Sequence, residues 1–353
     1  MIYIFLVLIF LGLVINRPKI FGPMIIIFLG IWINQSINLG KMADFYSYQN
    51  IYNQIALGIN NENYQTGNGW YVLNKVGQSL NLNYAQFKIY ISILCLIVIA
   101  LILKYWIGAN YNYFWSVYLI YPALIEMVQT RFFVATTIAF LGLMFLYHNK
   151  LWSNIIFVIM ILISTTIHAA ASFYLVFLLV PILNKNIKIF RRVFVVLVVL
   201  LVCFGNRLQN IITIFANTRE LDYFNGRPSL GHLLIFICIV LAFYFITQKL
   251  NRIIQKDSTI VEKEKKISNF ITNINTCMLL LIPILPLAFD FMRVQRIAWL
   301  LLYVQFLILI KNKKYIKFND YKCSYKIMLW GVSVLGFALM ICYFNPAVLT
   351  SFF

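Results

Sequence analysis

The sequence predicts an all-α polytopic membrane protein of about twelve transmembrane helices with two sizeable extracytoplasmic loops. Three observations predict it. Hydrophobic residues make up 62% of the 353 and charged residues only 11%. A soluble chain this apolar has too little polar surface to cover its core. The charges fall almost entirely between apolar runs, and most cations collect on alternate connectors. The net charge of +19 would suggest nucleic acid in a soluble protein. Here the positive-inside rule is the simpler cause, and no nucleic-acid partner is expected.

The apolar segments run over 1–16, 20–38, 87–103, 112–128, 131–147, 152–166, 169–183, 193–206, 230–248, 270–289, 294–310 and 327–344. Several are shorter than the roughly 20 residues of a straight span. The first has no basic start and no small-x-small cleavage site, so it reads as a retained span. Trp152–Leu183 is too long for one span and short for two, and we split it at His168. Taken as one span, it would turn the most basic later loops outward. With Arg17–Lys19 in the cytoplasm, the inner connectors hold 20 of the 29 Lys and Arg and the outer side holds 9. That asymmetry places both termini outside. The whole chain, 1–353, reads as one integral membrane domain without repeats.

Within the outer loop 39–86, Phe45, Tyr48, Tyr52 and Ile55 recur at helical spacing, and so do Trp70, Leu73, Val76 and Leu80. Two amphipathic interfacial helices are expected there, with a Gly/Asn turn between them. Asn83-Tyr84-Ala85-Gln86 fits a capping box opening the third span. The second outer loop is 207–229. The segment 249–269 reads as a solvated cytoplasmic loop. The six cysteines form no C-x-x-C pair, so neither a disulfide framework nor a zinc site is implied.

Charge at membrane depth is costly, so such residues are candidates for function. The outer set is Asp44, Glu126, Gln129, Arg131, His168, Arg219, Glu220, Asp222, Arg227, Asp290, Arg293 and Arg296. Asp290, Arg293 and Arg296 follow one another at i, i+3 and i+6, roughly one side of a helix. They are either an ion pair plus a snorkelling arginine or guanidinium forks aimed at phosphate. Arg131 either anchors a helix end or binds the same anion. His168 either caps a junction or acts as base or donor. Asp44 either favours a helix N-terminus or takes a proton from a sugar hydroxyl. Glu220-Leu221-Asp222 has the acid-x-acid spacing of some metal-using transferases, a weak signal. There is no P-loop, dinucleotide fingerprint, H-E-x-x-H or G-x-S-x-G.

Asp44-Phe45-Tyr46-Ser47-Tyr48, Gly69-Trp70-Tyr71-Val72-Leu73-Asn74, Gln129-Thr130-Arg131, Thr165 to Ser172 around His168, and Asp290-Phe291-Met292-Arg293 occur in that order. In this the chain resembles the EpsG family of membrane proteins, Wzy-type polymerases of bacterial polysaccharides. One departure is Asn68, where an acidic residue is common, so no acid-dependent role is carried over there. The resemblance implies transfer of an undecaprenyl-pyrophosphate glycan to a second lipid-linked repeat unit, without cofactor or metal. It implies Arg131, Arg293 and Arg296 on the pyrophosphate, and Asp44 or His168 as base. Arg219 and Arg227 would bind phosphate or sugar, and Tyr46, Tyr48 and Trp70 would be sugar platforms. Gln129 and Asp290 join the substrate-binding set. The bilayer, a flippase and a chain-length regulator are the implied partners. A flippase of lipid-linked oligosaccharide and another outward-facing transferase are the rival readings.

Overall fold

In hydrocarbon each backbone N–H and C=O must be paired within its own segment or by buried protein, so the apolar runs become helices. The computed structural model describes all residues except 15–17, 58–66, 109–111, 187, 201–202, 204–227, 313–314 and 319–320. In chain order the helices begin with α1 (Ile2–Val14), α2 (Pro18–Asn38), α3 (Phe45–Ala56), α4 (Asn68–Ser79) and α5 (Tyr84–Ile107). Next come α6 (Asn112–Tyr118), α7 (Leu124–Val128), α8 (Thr130–Tyr147), α9 (Leu151–Ile167), α10 (Leu179–Lys185) and α11 (188–200). The last are α12 (Leu230–Lys256), α13 (Glu262–Cys277), α14 (Arg296–Asn312), α15 (Tyr325–Gly336) and α16 (Ala347–Phe352).

Among the described residues six helices are long and apolar enough to cross a membrane: Ile20–Asn38, Tyr84–Ile107, Thr130–Tyr147, Leu230–Lys256, Phe289–Asn312 and Tyr325–Tyr343. Ile2–Gly12, Tyr113–Val128, Leu151–Ile167 and Ala169–Lys185 are shorter apolar helices. The expected span 193–206 falls partly on α11 and partly outside the described residues. The expected span 270–289 is not one regular apolar helix. It begins in polar α13, passes a 3₁₀ turn at Met278–Leu281, and continues in turns to Ala288. Among the described residues the regular elements are helical but for one antiparallel hairpin, β1 (Tyr315–Phe318) with β2 (Tyr321–Ser324), in register Tyr315 to Ser324.

The chain divides into two compact units, one of 1–60, 68–137 and 303–353, the other of 61–67 and 138–302. Two of the boundaries fall inside α8 and α14, where no linker composition marks them in the sequence.

In the first unit the expected span 112–128 is broken. A π-helical turn at Leu119–Ala123 separates α6 from α7, and Tyr121 is extended (φ −158°, ψ 133°). The break frees carbonyls, and buried hydroxyls answer them. Ser333 donates to Val117 O at 2.6 Å and Tyr303 donates to Tyr121 O at 2.9 Å. Irregular backbone at this depth is tolerated where protein satisfies it. Elsewhere α1 approaches α6 so closely that a Cβ on Gly12 would run into Ser116 and Phe21.

The two helices expected in 39–86 are α3 and α4, which pack on the start of α5. The Asn83 capping box is formed: Gln86 N donates to Asn83 Oδ1 at 2.9 Å and Asn83 N to Gln86 Oε1 at 3.0 Å. The face of α4 differs from expectation. Leu73, Val76 and Leu80 are half-buried or exposed, and the buried row is Trp70, Asn74 and Gly77. An apolar row turned outward suits a helix lying in the bilayer interface. Gly77 is the reason the inner row packs closely: an added Cβ would lie 2.6 Å from Phe87 Cδ2 and 2.9 Å from the Tyr52 hydroxyl. Gly77→Ala is expected to destabilise the protein by about 1–3 kcal/mol through overpacking, read as a lower unfolding temperature in detergent. Tyr52 donates to Leu82 O at 2.7 Å and accepts at its own carbonyl from Gln78 Nε2 at 2.6 Å. Burial pushes its phenol up.

In the second unit α9 ends at His168, the expected split. A 3₁₀ helix, Ala169–Leu178, then leads into α10. The segment 249–269, expected as a solvated loop, is mostly helical, with only 257–261 between α12 and α13. A polar seam explains the pairing. Ser268 donates to Asn251 Oδ1 at 2.8 Å, Gln255 Nε2 to Lys265 O at 2.8 Å, and Thr272 to Thr247 O at 3.4 Å. Such side chains bind membrane helices together.

Candidate functional site

The first unit carries Asp44, Tyr46, Tyr48, Trp70, Gln129 and Arg131. Asp44 stands at the N-cap of α3 in the left-handed region (φ 59°, ψ −3°), and its carboxylate makes no capping bond. Aspartate tolerates that conformation better than most residues. The turn is held from α16, where Ser351 Oγ accepts from Ala43 N at 3.0 Å. Asp44 is exposed and Tyr46 is 57% exposed. Trp70 is different. It is 1% exposed, with its ring centroid 6.3 Å from that of Tyr48 and 5.8 Å from that of Phe87. It is the core of an aromatic cluster and offers no ring face to a sugar, which removes it from the expected platforms.

Gln129 interrupts the chain between α7 and α8 (φ −91°, ψ 56°). Its carbonyl then accepts the first bond of α8, from Phe133 N at 3.0 Å. Arg131 follows in the first turn, 6% exposed. The turn is fixed by a residue outside every motif. Lys88, 2% exposed in the second turn of α5, donates from Nζ to Thr130 Oγ1 at 2.6 Å and to Val128 O at 3.3 Å. Thr130 Oγ1 in turn donates to Met127 O at 3.1 Å. The ammonium thus reaches both sides of Gln129. An interfacial anchor would snorkel outward, whereas Lys88 points in. Glu126, also in the expected outer set, is fully buried and accepts from the Tyr118 hydroxyl.

The second unit carries His168, Asp290, Arg293 and Arg296. His168 is 6% exposed and caps the 3₁₀ helix, its Nδ1 accepting from Ala170 N at 3.3 Å. With Nδ1 accepting, the neutral ring carries its proton on Nε2 and is a donor there. That geometry suits hydrogen-bond donation better than proton abstraction. The same 3₁₀ helix touches the second cluster, since Tyr174 donates to Val294 O at 3.4 Å.

Asp290 and Arg293 lie on a 3₁₀ helix, Phe289–Gln295, not on an α-helix. With three residues per turn, positions three apart eclipse, so Asp290, Arg293 and Arg296 form a straighter row than α geometry gives. Arg293 pairs with Asp290 at 3.0 Å, both partly exposed. Arg296, which opens α14, is 1% exposed. The neighbouring Gln295 is wholly buried, with neither amide atom hydrogen-bonded among the described residues.

Arg219 and Arg227, with Glu220 and Asp222, lie outside the described residues. Among the described residues no three His, Cys, Asp or Glu are grouped to hold a metal ion.

The EpsG family model matches residues 19–352, nearly the whole chain. The chain belongs to the EpsG family. No curated protein and no solved structure gives a significant match. The family is associated with Wzy-type polymerases. In this family member, sequence reasoning missed Lys88 and Ser351. Lys88 carries a signal, a lysine inside an apolar helix, that was absorbed into the count of outer cations. Ser351 carries none, because its partner is 308 residues away.

Proposed function

We propose that this protein is a Wzy-type polymerase. It joins undecaprenyl-pyrophosphate-linked oligosaccharide repeat units into capsule, exopolysaccharide or O-antigen, at the outer face of the cytoplasmic membrane and without a metal. Both termini then lie outside. The observation that carries the reading is the choice and placement of arginine. Arg131 is buried in the first turn of α8, and Arg293 and Arg296 continue one 3₁₀ row into α14. Insertion requires none of them. A guanidinium stays charged at any relevant pH and binds phosphate oxygens in pairs.

The reaction needs three things: a held leaving group, an acceptor hydroxyl and a proton sink. The acceptor oxygen forms a bond to the donor sugar's anomeric carbon. The bond from that carbon to pyrophosphate breaks, and its electron pair leaves with undecaprenyl pyrophosphate. Prepositioned arginines stabilise the charge that develops there without reorganisation. Cleavage of the substrate's own glycosyl–pyrophosphate bond supplies the driving force, so no nucleotide sugar is consumed. The hydroxyl proton passes to the exposed carboxylate of Asp44, because Nδ1 of His168 already accepts a backbone N–H. Tyr46 and Tyr48 remain the sugar-facing aromatics, and Arg219 and Arg227 the further anion ligands.

The test mixes purified protein with synthetic undecaprenyl-pyrophosphate repeat unit and EDTA, without nucleotide sugar, and sizes the products on a gel. A ladder is the expected result. Broken helices such as α6–α7 also occur in transporters, so lipid transfer between vesicle leaflets is measured in parallel. Transfer without any ladder from the organism's own repeat unit would overturn the polymerase in favour of a flippase.

A further inference from the structure

The second unit has an unassigned cleft well away from Arg293. Phe289, beside that arginine, packs on His232 and Phe236 near the start of α12. The cleft opens around Tyr244 and Gln248 of the same helix, roughly 18 Å further along at 1.5 Å per residue. It holds about 590 Å³, and a neighbouring cleft of about 700 Å³ shares Asn184 and Asn269 with it.

Its lining is of three kinds. One wall is apolar, from Phe190, Phe194 and Val195 of α11, and Val195 is 58% exposed. Cations sit at the polar rim: Arg191 in the first cleft, Lys265 and Lys266 in the second, with His148 and the single carboxylate of Glu262. Between them lie amides from three helices, Asn184, Gln248, Asn269 and Asn273. The floor is tied together, since Asn273 Nδ2 donates to Asn184 Oδ1 and Gln248 Nε2 to Thr276 Oγ1 at 3.4 Å. The apolar part of α12 gives way to polar residues at this level, where a bilayer interface would lie. Basic pockets between membrane helices at such a level bind anionic headgroups.

We propose that this cleft binds an anionic glycerophospholipid whose headgroup carries free hydroxyls, of the phosphatidylglycerol class. Arg191, Lys265 and Lys266 hold the phosphate. The amides of Asn184, Asn269 and Asn273 take the headgroup hydroxyls. The Phe190–Phe194–Val195 wall takes the first part of an acyl chain. A soluble anion needs no such wall, and a zwitterionic lipid leaves the excess of cations over the one carboxylate unanswered.

The full chain in detergent is titrated with phosphatidylglycerol, phosphatidylethanolamine, phosphatidylserine or water-soluble glycerol 3-phosphate. Bound lipid is counted by native mass spectrometry alongside the unfolding temperature. Phosphatidylglycerol is expected to be retained at least tenfold better than phosphatidylethanolamine. Arg191→Gln/Lys266→Gln, at two exposed positions, is expected to remove that preference without moving the unfolding temperature of lipid-free protein. Equal retention by wild type and variant would overturn the site. Protection by glycerol 3-phosphate alone would replace the lipid with a soluble anion. Phosphatidylserine binding as tightly as phosphatidylglycerol would overturn the hydroxyl-reading role of the amides. None of these readouts depends on polymerase activity.

Discussion

Arg293→Ala is expected to lower the polymerisation rate by about 10²–10³-fold, the usual cost of deleting one preorganised donor from a site where charge develops. The loss should fall on kcat, because the pyrophosphate carries more charge as it leaves than when bound. Folding should hardly change. The Asp290–Arg293 pair is partly exposed, and such pairs contribute only about 0–1 kcal/mol. Arg293→Lys should recover a minor part, since an ammonium keeps the charge but loses the two-pronged fork. Single-turnover assays with the synthetic repeat unit, beside the unfolding temperature, separate these effects. An alanine variant keeping a third or more of the wild-type rate would take Arg293 out of the chemistry and leave the ion pair as a helix-end feature.

Lys88→Met is expected to cost about 10²-fold in rate, although by this reading Lys88 touches no substrate. Its ammonium reaches Thr130 Oγ1 and Val128 O, the two groups flanking Gln129 and leading into Arg131. Removing it lets the start of α8 relax, and a shift of about 1 Å in a positioned group can lose two orders of magnitude. Methionine keeps most of the volume, so packing alone predicts little change. Lys88→Arg restores charge and donors and should regain activity. If Met and Arg variants are equally active, Lys88 is a packing residue. If both merely unfold at lower temperature with unchanged kcat, its role is structural.

Legibility in the sequence follows the range of the interaction that decides each feature. The Asn83–Gln86 box was readable because donor and acceptor are three residues apart. The start of α8 after Gln129 and the existence of α3 and α4 were readable from local pattern, whereas the break at His168 was readable from the length of its apolar run and the charge of the later loops. The break at Tyr121 was not. The groups that satisfy it, on Tyr303 and Ser333, lie 182 and 216 residues from their partners. The face of α4 was misread because periodicity locates an apolar row but not what it faces. Trp70, a sugar platform by the family resemblance, is instead buried against Tyr48 and Phe87. Among the candidates, the arginines were visible as costly charges, but the 3₁₀ geometry that aligns Arg293 with Arg296 was not.

By itself the sequence determined the helical membrane class, the family and the alternation of basic connectors, because insertion acts on composition segment by segment. Only the tertiary structure decided that Lys88 turns inward beneath the Gln129–Arg131 turn and that Ser351 holds the approach to Asp44. It also decided that the chain folds as two units, two of whose boundaries cut through α8 and α14. Hydrophobic burial is non-directional and roughly additive, so it can be read along the chain. A buried polar group needs a particular partner at hydrogen-bond distance, and that partner is supplied by the fold.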